Sequence, residues 1–395
     1  MLRVVNRRRA TGRHSLIPVS PNPASAPTAA DLVDWDAAAR LARIATPAGP
    51  HVPDAIRRAS VALLRRSVDD ALPWAGRITG LPGPARSAAL NAEILVVDRA
   101  GLMTASAAWL RGLTGALPMP DAGPASRALA TGQVGVALGY LSTRVLGQVL
   151  PRLDDPAGGD VTRPDARLLL VAPNVLAFQR RFDLDVLDLP AWVALHEAVH
   201  LVQLSAAPWL AQRLTDRMRL VIGALVAAVR NADAGRTEPD EQSDEQDERD
   251  EQPDEQDERD EQPDGPPLGD LLTAPGREHL TRLVALLTLL EGHADAVLDA
   301  VEPGRMPSVH RLRAVLSRTP RSYGRGLSAG PGALLGRLIG LDAKETQYAD
   351  GAAFARAVIA RVGHKGLNTV WAAPDNLPLP DEIARPEQWI ERLGL

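Results

Sequence analysis

The chain has 395 residues, enough for one large domain or two ordinary ones with a substantial apolar core. It contains no cysteine, which excludes disulfide bonds, a thiolate nucleophile and sulfur ligands, so any metal must be held by nitrogen and oxygen. The net charge of −5 is uneven, because residues 238–267 contain 16 Asp or Glu against two Arg, a balance of −14, and the rest carries about +9.

This basic body shows no recognition-helix or stacking-aromatic pattern, so we expect no nucleic-acid partner. No stretch reaches the roughly 20 apolar residues that span a bilayer, so we expect no membrane partner either. Residues 1–30 are basic and then rich in Pro and Ala, which predicts a disordered tail. The absence of cysteine fits a reducing compartment, and we expect a cytoplasmic protein.

Most of the chain has apolar residues at the helical period of about 3.6 residues, so the predicted fold is mainly α, and α+β at most. The predicted helices before the acidic segment are "LVDWDAAARLARI", "AIRRASVALLRRSVDDAL", "SRALATGQVGVALGYLSTRVLGQVL" and "LTDRMRLVIGALVAAVR". One compact apolar run, "ARLLLVAPN" at Ala166–Asn174, is ended by Pro and Asn and is predicted to be a strand. Two roles stay open for it: an edge strand that binds an extended substrate, or an internal strand without a ligand.

Residues 236–267 contain an acidic repeat with a period of ten, "DEQSDEQDER", "DEQPDEQDER" and "DEQPDG". The repeat has no apolar residue to bury, so we expect a disordered, solvated insertion. It lacks the Gly-bearing turn of a calcium loop, and its charge suits a basic partner instead. The predicted helices that follow are "TRLVALLTLLEGHADAVLDAV", "VHRLRAVLS" and "KETQYADGAAFARAVIARVG".

The stretch "ALHEAVHLVQ" at Ala194–Gln203 places an HExxH motif on a predicted helix. His196 and His200 are four residues apart, so their side chains lie one turn apart on the same face and can bind a single zinc ion. Glu197 is offset by about 100° and can reach a water on the metal rather than the metal itself. The motif therefore indicates a zinc site with Glu197 as general base.

A catalytic zinc needs a third protein ligand if its fourth position is to stay open for water. The segment "LLTLLEGHADAVLDA" offers Glu291 and Asp295, which lie four residues apart on one helix face, and a carboxylate on such an apolar helix needs a partner. We expect Glu291 to be the third ligand and Asp295 to hold a metal-bound histidine by its other ring nitrogen. His293 points about 200° away from Glu291 and is the substitute ligand.

HExxH followed at a distance by ExxxD resembles the gluzincin pattern. The segments "LVDWDAAARLA", "LHEAVHLVQ", "LLEGHADAV", "KETQYADGAAF" and "LNTVWAAPDNLPLPDEIARPEQWIER" resemble an actinobacterial family of zincin-like metallopeptidases, which is labelled as associated with deazaflavin-coenzyme biosynthesis. The resemblance covers residues 31–395, with the acidic repeat as an insertion. It implies zinc on His196, His200 and Glu291, Glu197 as general base and Asp295 behind the ligands.

The predicted function is a zinc-dependent hydrolase with one zinc per chain, acting as a peptidase on a peptide or protein substrate. Zinc lowers the pKa of its bound water toward 7, and Glu197 takes the proton as that water attacks an amide carbonyl. Tyr348 and His364 are the candidate donors to the developing oxyanion. Two alternatives stay open: a non-catalytic zinc protein whose ligands staple two halves of the fold, and an interaction protein whose acidic repeat binds a basic partner.

The predicted ligands lie on both sides of the acidic repeat, so both halves must meet at the metal. Residues 31–395 are therefore predicted to be one domain with a long insertion. One competing motif, "GLSAG" at Gly326–Gly330, matches GxSxG but lacks the preceding strand that a nucleophile elbow requires, so a serine hydrolase is not favoured.

Overall fold

The computed structural model describes residues 27–119, 122–153, 164–236, 272–318 and 346–395. Across these ranges the chain is mostly helical with a three-stranded sheet, which confirms the predicted mainly α fold. The helices are α1 (Trp35–Ala45), α2 (Asp54–Ile78), α3 (Pro82–Asn91), α4 (Arg99–Thr114), α5 (Pro124–Ser142), α6 (Ala172–Phe182), α7 (Asp188–Ala206), α8 (Leu210–Arg236), α9 (Ala274–Leu298), α10 (Val309–Arg318), α11 (Thr346–Leu367), α12 (Pro380–Ile383) and α13 (Pro386–Leu393). The strands are β1 (Ala92–Val97), β2 (Gly147–Pro151) and β3 (Ala166–Val171).

Two predicted segments lie outside the described residues, the acidic repeat at 238–267 and GLSAG at 326–330. Of the predicted tail at residues 1–30, residues 1–26 also lie outside the described residues. In its last residues, Thr28 forms a β-bridge with Pro118 and Ala29 is buried. The one-domain organisation of residues 31–395 stays a prediction. Among the helices that the structure describes, none is both long enough and apolar enough to cross a bilayer.

The sheet has the strand order β1-β3-β2, with β1 parallel and β2 antiparallel to β3. The predicted strand is confirmed as β3 over Ala166–Val171, while its last three predicted residues begin α6. Of the two roles left open for it, the internal strand is the observed one, because β3 pairs on both sides. Its side chains explain this position. Leu168 and Leu170 face a core shared with α2, α3 and α7, whereas Leu169 and Val171 face the core of α1, α4 and α5. A run that is apolar on both faces is typical of a covered internal strand.

The prediction of one long helix over "SRALATGQVGVALGYLSTRVLGQVL" is wrong in its second part. The helix α5 ends at Ser142, and Gly147–Pro151 is the edge strand β2. The end of α5 is stabilised from far along the chain, since the Asn174 side chain donates hydrogen bonds to the carbonyls of Ser142 and Val145, at 2.7 and 2.6 Å. These carbonyls would otherwise lack partners at a buried helix end.

Helix α7 is the centre of the fold. It packs against α2, α3, α9 and the two strands β2 and β3, and every residue from Leu189 to Gln203 except Ala191 is buried. A helix that is apolar nearly all round belongs in the interior, because no face of it is suited to water. Helix α9, which follows the acidic repeat, contributes to the cores on both sides of the sheet, so residues from both sides of the repeat share one interior.

Helices α9 and α11 cross at two glycines. A Cβ atom at Gly292 would lie 2.1 Å from the carbonyl carbon of Gly351, and one at Gly351 would lie 2.1 Å from the carbonyl oxygen of Thr288. Both distances are far below van der Waals contact, so the two backbones approach this closely only because neither position has a side chain. The crossing matters for the site described below because Gly292 follows Glu291 directly.

We predict that Gly351→Ala lowers the free energy of unfolding by about 1–3 kcal/mol, since overpacking forces the two backbones apart. The matched control is Gly132→Ala in α5, where a new Cβ meets nothing within 4 Å. That substitution is expected to stabilise the protein by about 0.5–1 kcal/mol through helix propensity. Urea unfolding followed by circular dichroism measures both. Equal stability of Gly351→Ala and the unsubstituted protein would contradict the close crossing.

Candidate metal centre

The two histidines of HExxH and the glutamate of α9 meet in the interior. His196 Nε2 lies 3.3 Å from His200 Nε2 and 3.4 Å from Glu291 Oε2, and His200 Nε2 lies 3.6 Å from Glu291 Oε1. The two imidazoles are brought together by one turn of α7, as predicted from their spacing. The glutamate is brought to them by the packing of α9 on α7.

These separations suit a metal ion. Two ligands of a tetrahedral zinc with bonds of about 2.0–2.1 Å are about 3.3–3.4 Å apart, close to the distances between the three side chains. Two imidazole nitrogens and a carboxylate are also a donor set that zinc prefers. Within the described ranges, His196, His200 and Glu291 form the one group of three or more His, Asp or Glu side chains placed to hold a metal ion.

Burial prepares the ligands for a metal. His196 and His200 are 1% and 6% exposed, and the Glu291 side chain is 19% exposed. Burial lowers the pKa of His200 although the charge of Glu291 opposes this effect. The neutral imidazole, which is the form that binds metals, is therefore favoured.

Glu197 lies beside these ligands and is completely buried. Neither of its carboxylate oxygens has a hydrogen-bond partner among the described residues. Burial, and then the charge of Glu291, raises the pKa of Glu197 well above its usual range. A buried carboxylate without a partner is costly, so this environment fits a group whose partner is a cation and the solvent molecules around it.

Gly147, the first residue of β2, covers Glu197. A Cβ atom at this position would lie 2.6 Å from both Cγ and Oε1 of Glu197, so the edge strand approaches the carboxylate only because residue 147 has no side chain. The role of this residue is not apparent from the sequence, because the apolar run around it also fits a helix. A Gly between Val-Leu and Gln-Val-Leu was the available signal, since glycine in a strand often marks a close approach.

Gln203 was also missed. It follows His200 by three residues on α7 and is 1% exposed. Its Oε1 lies 2.9 Å from His200 Nδ1, and its Nε2 donates to the carbonyl oxygen of Leu290 at 2.9 Å and lies 3.0 Å from His293 Nδ1. The glutamine thus holds the ring nitrogen of His200 that faces away from the metal position, a role that the sequence analysis assigned to Asp295.

The remaining predicted residues take different places. Asp295 lies one turn beyond Glu291 on α9 and is exposed, and its role behind the ligands stays a prediction. His293 is buried on another side of α9, and burial, then the nearby His364 and His200, lowers its pKa to about 3. It lies outside the candidate ligand group, in which Glu291 takes the third place.

Of the two candidate oxyanion donors, Tyr348 belongs to the first turn of α11, and its side chain lies outside the described residues. His364 follows a kink in α11 at Gly363, where φ is +70°. It is half-buried, and it lies near enough to His293 to lower the pKa of that residue. Both donor roles stay predictions.

Comparison with known proteins agrees with this geometry. A family model described as zincin-like metallopeptidase matches residues 33–390. The chain belongs to this family. Among solved structures, the chain is similar to a protein from Chloroflexus aurantiacus that is described, provisionally, as a hydrolase with a novel fold. The two share 25% identity over 92% of this chain and 99% of that chain, with a TM-score of 0.59. No curated protein matches the chain.

We predict that Glu291→Ala lowers the zinc content to well below one ion per chain, because only two of the three candidate ligands are left. The control is Glu302→Ala, which removes an exposed carboxylate of the same kind. Both proteins are purified without added metal and measured by mass spectrometry for metals. Full zinc content in Glu291→Ala would mean that α9 does not supply the third ligand.

A second prediction concerns Gly147→Ala. The added methyl group must displace the Glu197 carboxylate, and a misplacement near 1 Å costs about 10²-fold in rate. We expect kcat/KM to fall by about that factor with zinc content unchanged, since none of the three ligands is touched. Gly304→Ala, where a Cβ meets nothing within 4 Å, is the control. Undiminished hydrolysis of a peptide library by Gly147→Ala would contradict the close contact between β2 and Glu197.

Proposed function

We propose that this zincin-like metallopeptidase is a zinc-dependent hydrolase that cleaves amide bonds in peptide or protein substrates. The observation that carries the proposal is a group of three side chains able to hold a metal, with a buried carboxylate beside it that has no hydrogen-bond partner among the described residues. The family match and the hydrolase described for the similar structure support the reaction class. The choice of zinc rests on the nitrogen and oxygen donors of the three ligands.

His196, His200 and Glu291 would hold the metal. When bound, zinc would act as a Lewis acid and lower the pKa of a water molecule at its open position. Structural zinc sites are usually closed by four protein ligands, whereas catalytic ones have three. The described part of the chain offers three, which favours catalysis.

Glu197 is the proposed general base. Its carboxylate takes a proton from the attacking water and passes it to the leaving amine nitrogen. The raised pKa suits a group that must hold this proton for part of the reaction, and a cation nearby would lower the pKa again by stabilising the charged carboxylate. Gly147 and the edge strand β2 exclude bulk water from the carboxylate, which strengthens its interaction with developing charge.

The edge strand β2 is the proposed place for the substrate backbone. It pairs only with β3 within the described sheet, and its first residue touches Glu197. An extended peptide can add to an edge strand through main-chain hydrogen bonds, with its scissile bond near the carboxylate. Because all five residues of β2 are buried, this mode of binding requires the elements that cover β2 to move apart. The proposed substrate-binding strand is therefore β2 rather than β3.

A second candidate function is a non-catalytic zinc protein. It is favoured by the burial of the site, since Glu197 has no exposed surface and the imidazoles are almost covered. In that case the metal would join α7 and α9, and Glu197 would have no chemical role. An association with deazaflavin-coenzyme biosynthesis, an actinobacterial origin, a cytoplasmic location and a basic partner for the acidic repeat also stay predictions.

Glu197→Gln separates the two functions. For an enzyme we expect hydrolysis of a peptide library to fall by about 10²–10⁴-fold, the typical contribution of a general base, with one zinc per chain retained. The exposed Glu302→Gln should leave both quantities unchanged. If the unsubstituted protein binds zinc but cleaves no peptide in the library, and Glu197→Gln alters nothing, the non-catalytic function is correct.

A further inference from the structure

The hydrogen bonds of Gln203 determine how its amide is oriented. Its side chain meets a carbonyl oxygen, that of Leu290, at 2.9 Å and two imidazole nitrogens at 2.9 and 3.0 Å. A carbonyl oxygen can only accept, so the amide nitrogen must be the atom that faces Leu290. The opposite orientation would put two acceptors in contact inside the protein, where no water can relieve them.

This orientation decides the tautomer of His200. With the amide nitrogen toward Leu290, the amide oxygen faces His200 Nδ1, and that nitrogen must carry the hydrogen. A neutral imidazole has one hydrogen, so the lone pair of His200 is on Nε2. This is the atom that lies 3.6 Å from Glu291 Oε1 and 3.3 Å from His196 Nε2.

The same amide joins the two ligand helices. Its second hydrogen is directed at His293 Nδ1 on α9, and its first is bound to the carbonyl of Leu290, the residue before Glu291. One side chain therefore contacts a ligand on α7 and the backbone next to the ligand on α9. Each of these contacts is buried, so losing one leaves a polar group without a partner.

We propose that Gln203 is a positioning residue that keeps His200 as the Nδ1–H tautomer and aligns it with Glu291, and that it thereby sets the affinity for zinc. The proposal rests on the zinc site of the proposed function. Hydrogen bonds from residues behind a ligand typically change metal affinity by 10–100-fold, and their loss misorients the ligand rather than removing it.

The first test needs no metal, and it reads the tautomer in the unsubstituted protein. Nitrogen-15 NMR of the histidine rings in metal-free protein distinguishes the two tautomers of a neutral imidazole, and the signal of His200 is assigned by its absence in His200→Ala. We expect the hydrogen on Nδ1. A His200 ring with its hydrogen on Nε2 would overturn the proposal, whatever the protein does with zinc.

The second test uses Gln203→Met, which has a similar shape but no amide, and Gln203→Glu, whose protonated carboxyl group can donate from one oxygen to Leu290 and accept with the other from His200. Zinc affinity is measured by competition with a chelator. We expect Gln203→Met to weaken zinc binding by about 10–100-fold and to lose the Nδ1–H preference. Gln203→Glu should keep that tautomer and bind zinc more tightly than Gln203→Met. Gln212→Met, at an exposed position in α8, is the control and should match the unsubstituted protein.

The outcomes separate this proposal from the proposed function. Unchanged zinc affinity in Gln203→Met would overturn the positioning role while leaving the zinc site intact. Unsubstituted protein that shows the Nδ1–H tautomer but takes up no zinc would contradict the proposed function and still support the hydrogen-bond assignment. If Gln203→Met does not fold, the tautomer in the unsubstituted protein together with Gln203→Glu decides the question.

Discussion

Helix α7 is buried from Leu189 to Gln203 except at Ala191, and this burial is the constraint on which the rest of the structure depends. A polar side chain on such a helix loses its hydration and must find a partner inside the protein. Four polar side chains of α7 are buried in this way: His196, Glu197, His200 and Gln203. Three of them find their contacts on α9, where Glu291 meets both imidazoles and the backbone of Leu290 accepts from Gln203. The crossing of α7 and α9 therefore holds the fold together and assembles the site at once.

Glu197 is the exception among these side chains, and the proposed reaction depends on it. Its carboxylate oxygens have no hydrogen-bond partner among the described residues. Strand β2 packs directly against the carboxylate at Gly147, where any side chain would clash with it. A protein core would ordinarily replace such a carboxylate with an apolar side chain, because an unpaired buried charge is destabilising. Retaining it makes sense where the group acts on a proton, since a perturbed pKa and exclusion of water are what a general base requires. Burial without a hydrogen-bond partner therefore both destabilises the protein at Glu197 and suits this residue to its proposed function.

Local periodicity predicted the helices well and the strands poorly. The spacing in HExxH suffices to place His196 and His200 together, because the helix repeats every 3.6 residues wherever it lies. The same reasoning extended α5 into β2, since an apolar run has no period of its own, and what ends α5 is Asn174, about thirty residues away. The role of Gln203 could not be predicted from the sequence either, because its partners lie on another helix. A glutamine on an apolar helix looks unremarkable until α9 supplies the carbonyl and the imidazole that it binds.

The sequence by itself therefore determined the fold class, the helix that carries the histidines, the chemical nature of the ligands and the identity of Glu291 as the most suitable third one. All of these depend on residue type and on spacing within a single element. Only the tertiary structure decided which strand covers Glu197, which glycines let α9 and α11 approach, and which side chain hydrogen-bonds to His200. These depend on contacts between residues far apart in the chain, and the free energy of such contacts comes from packing geometry that no local pattern encodes.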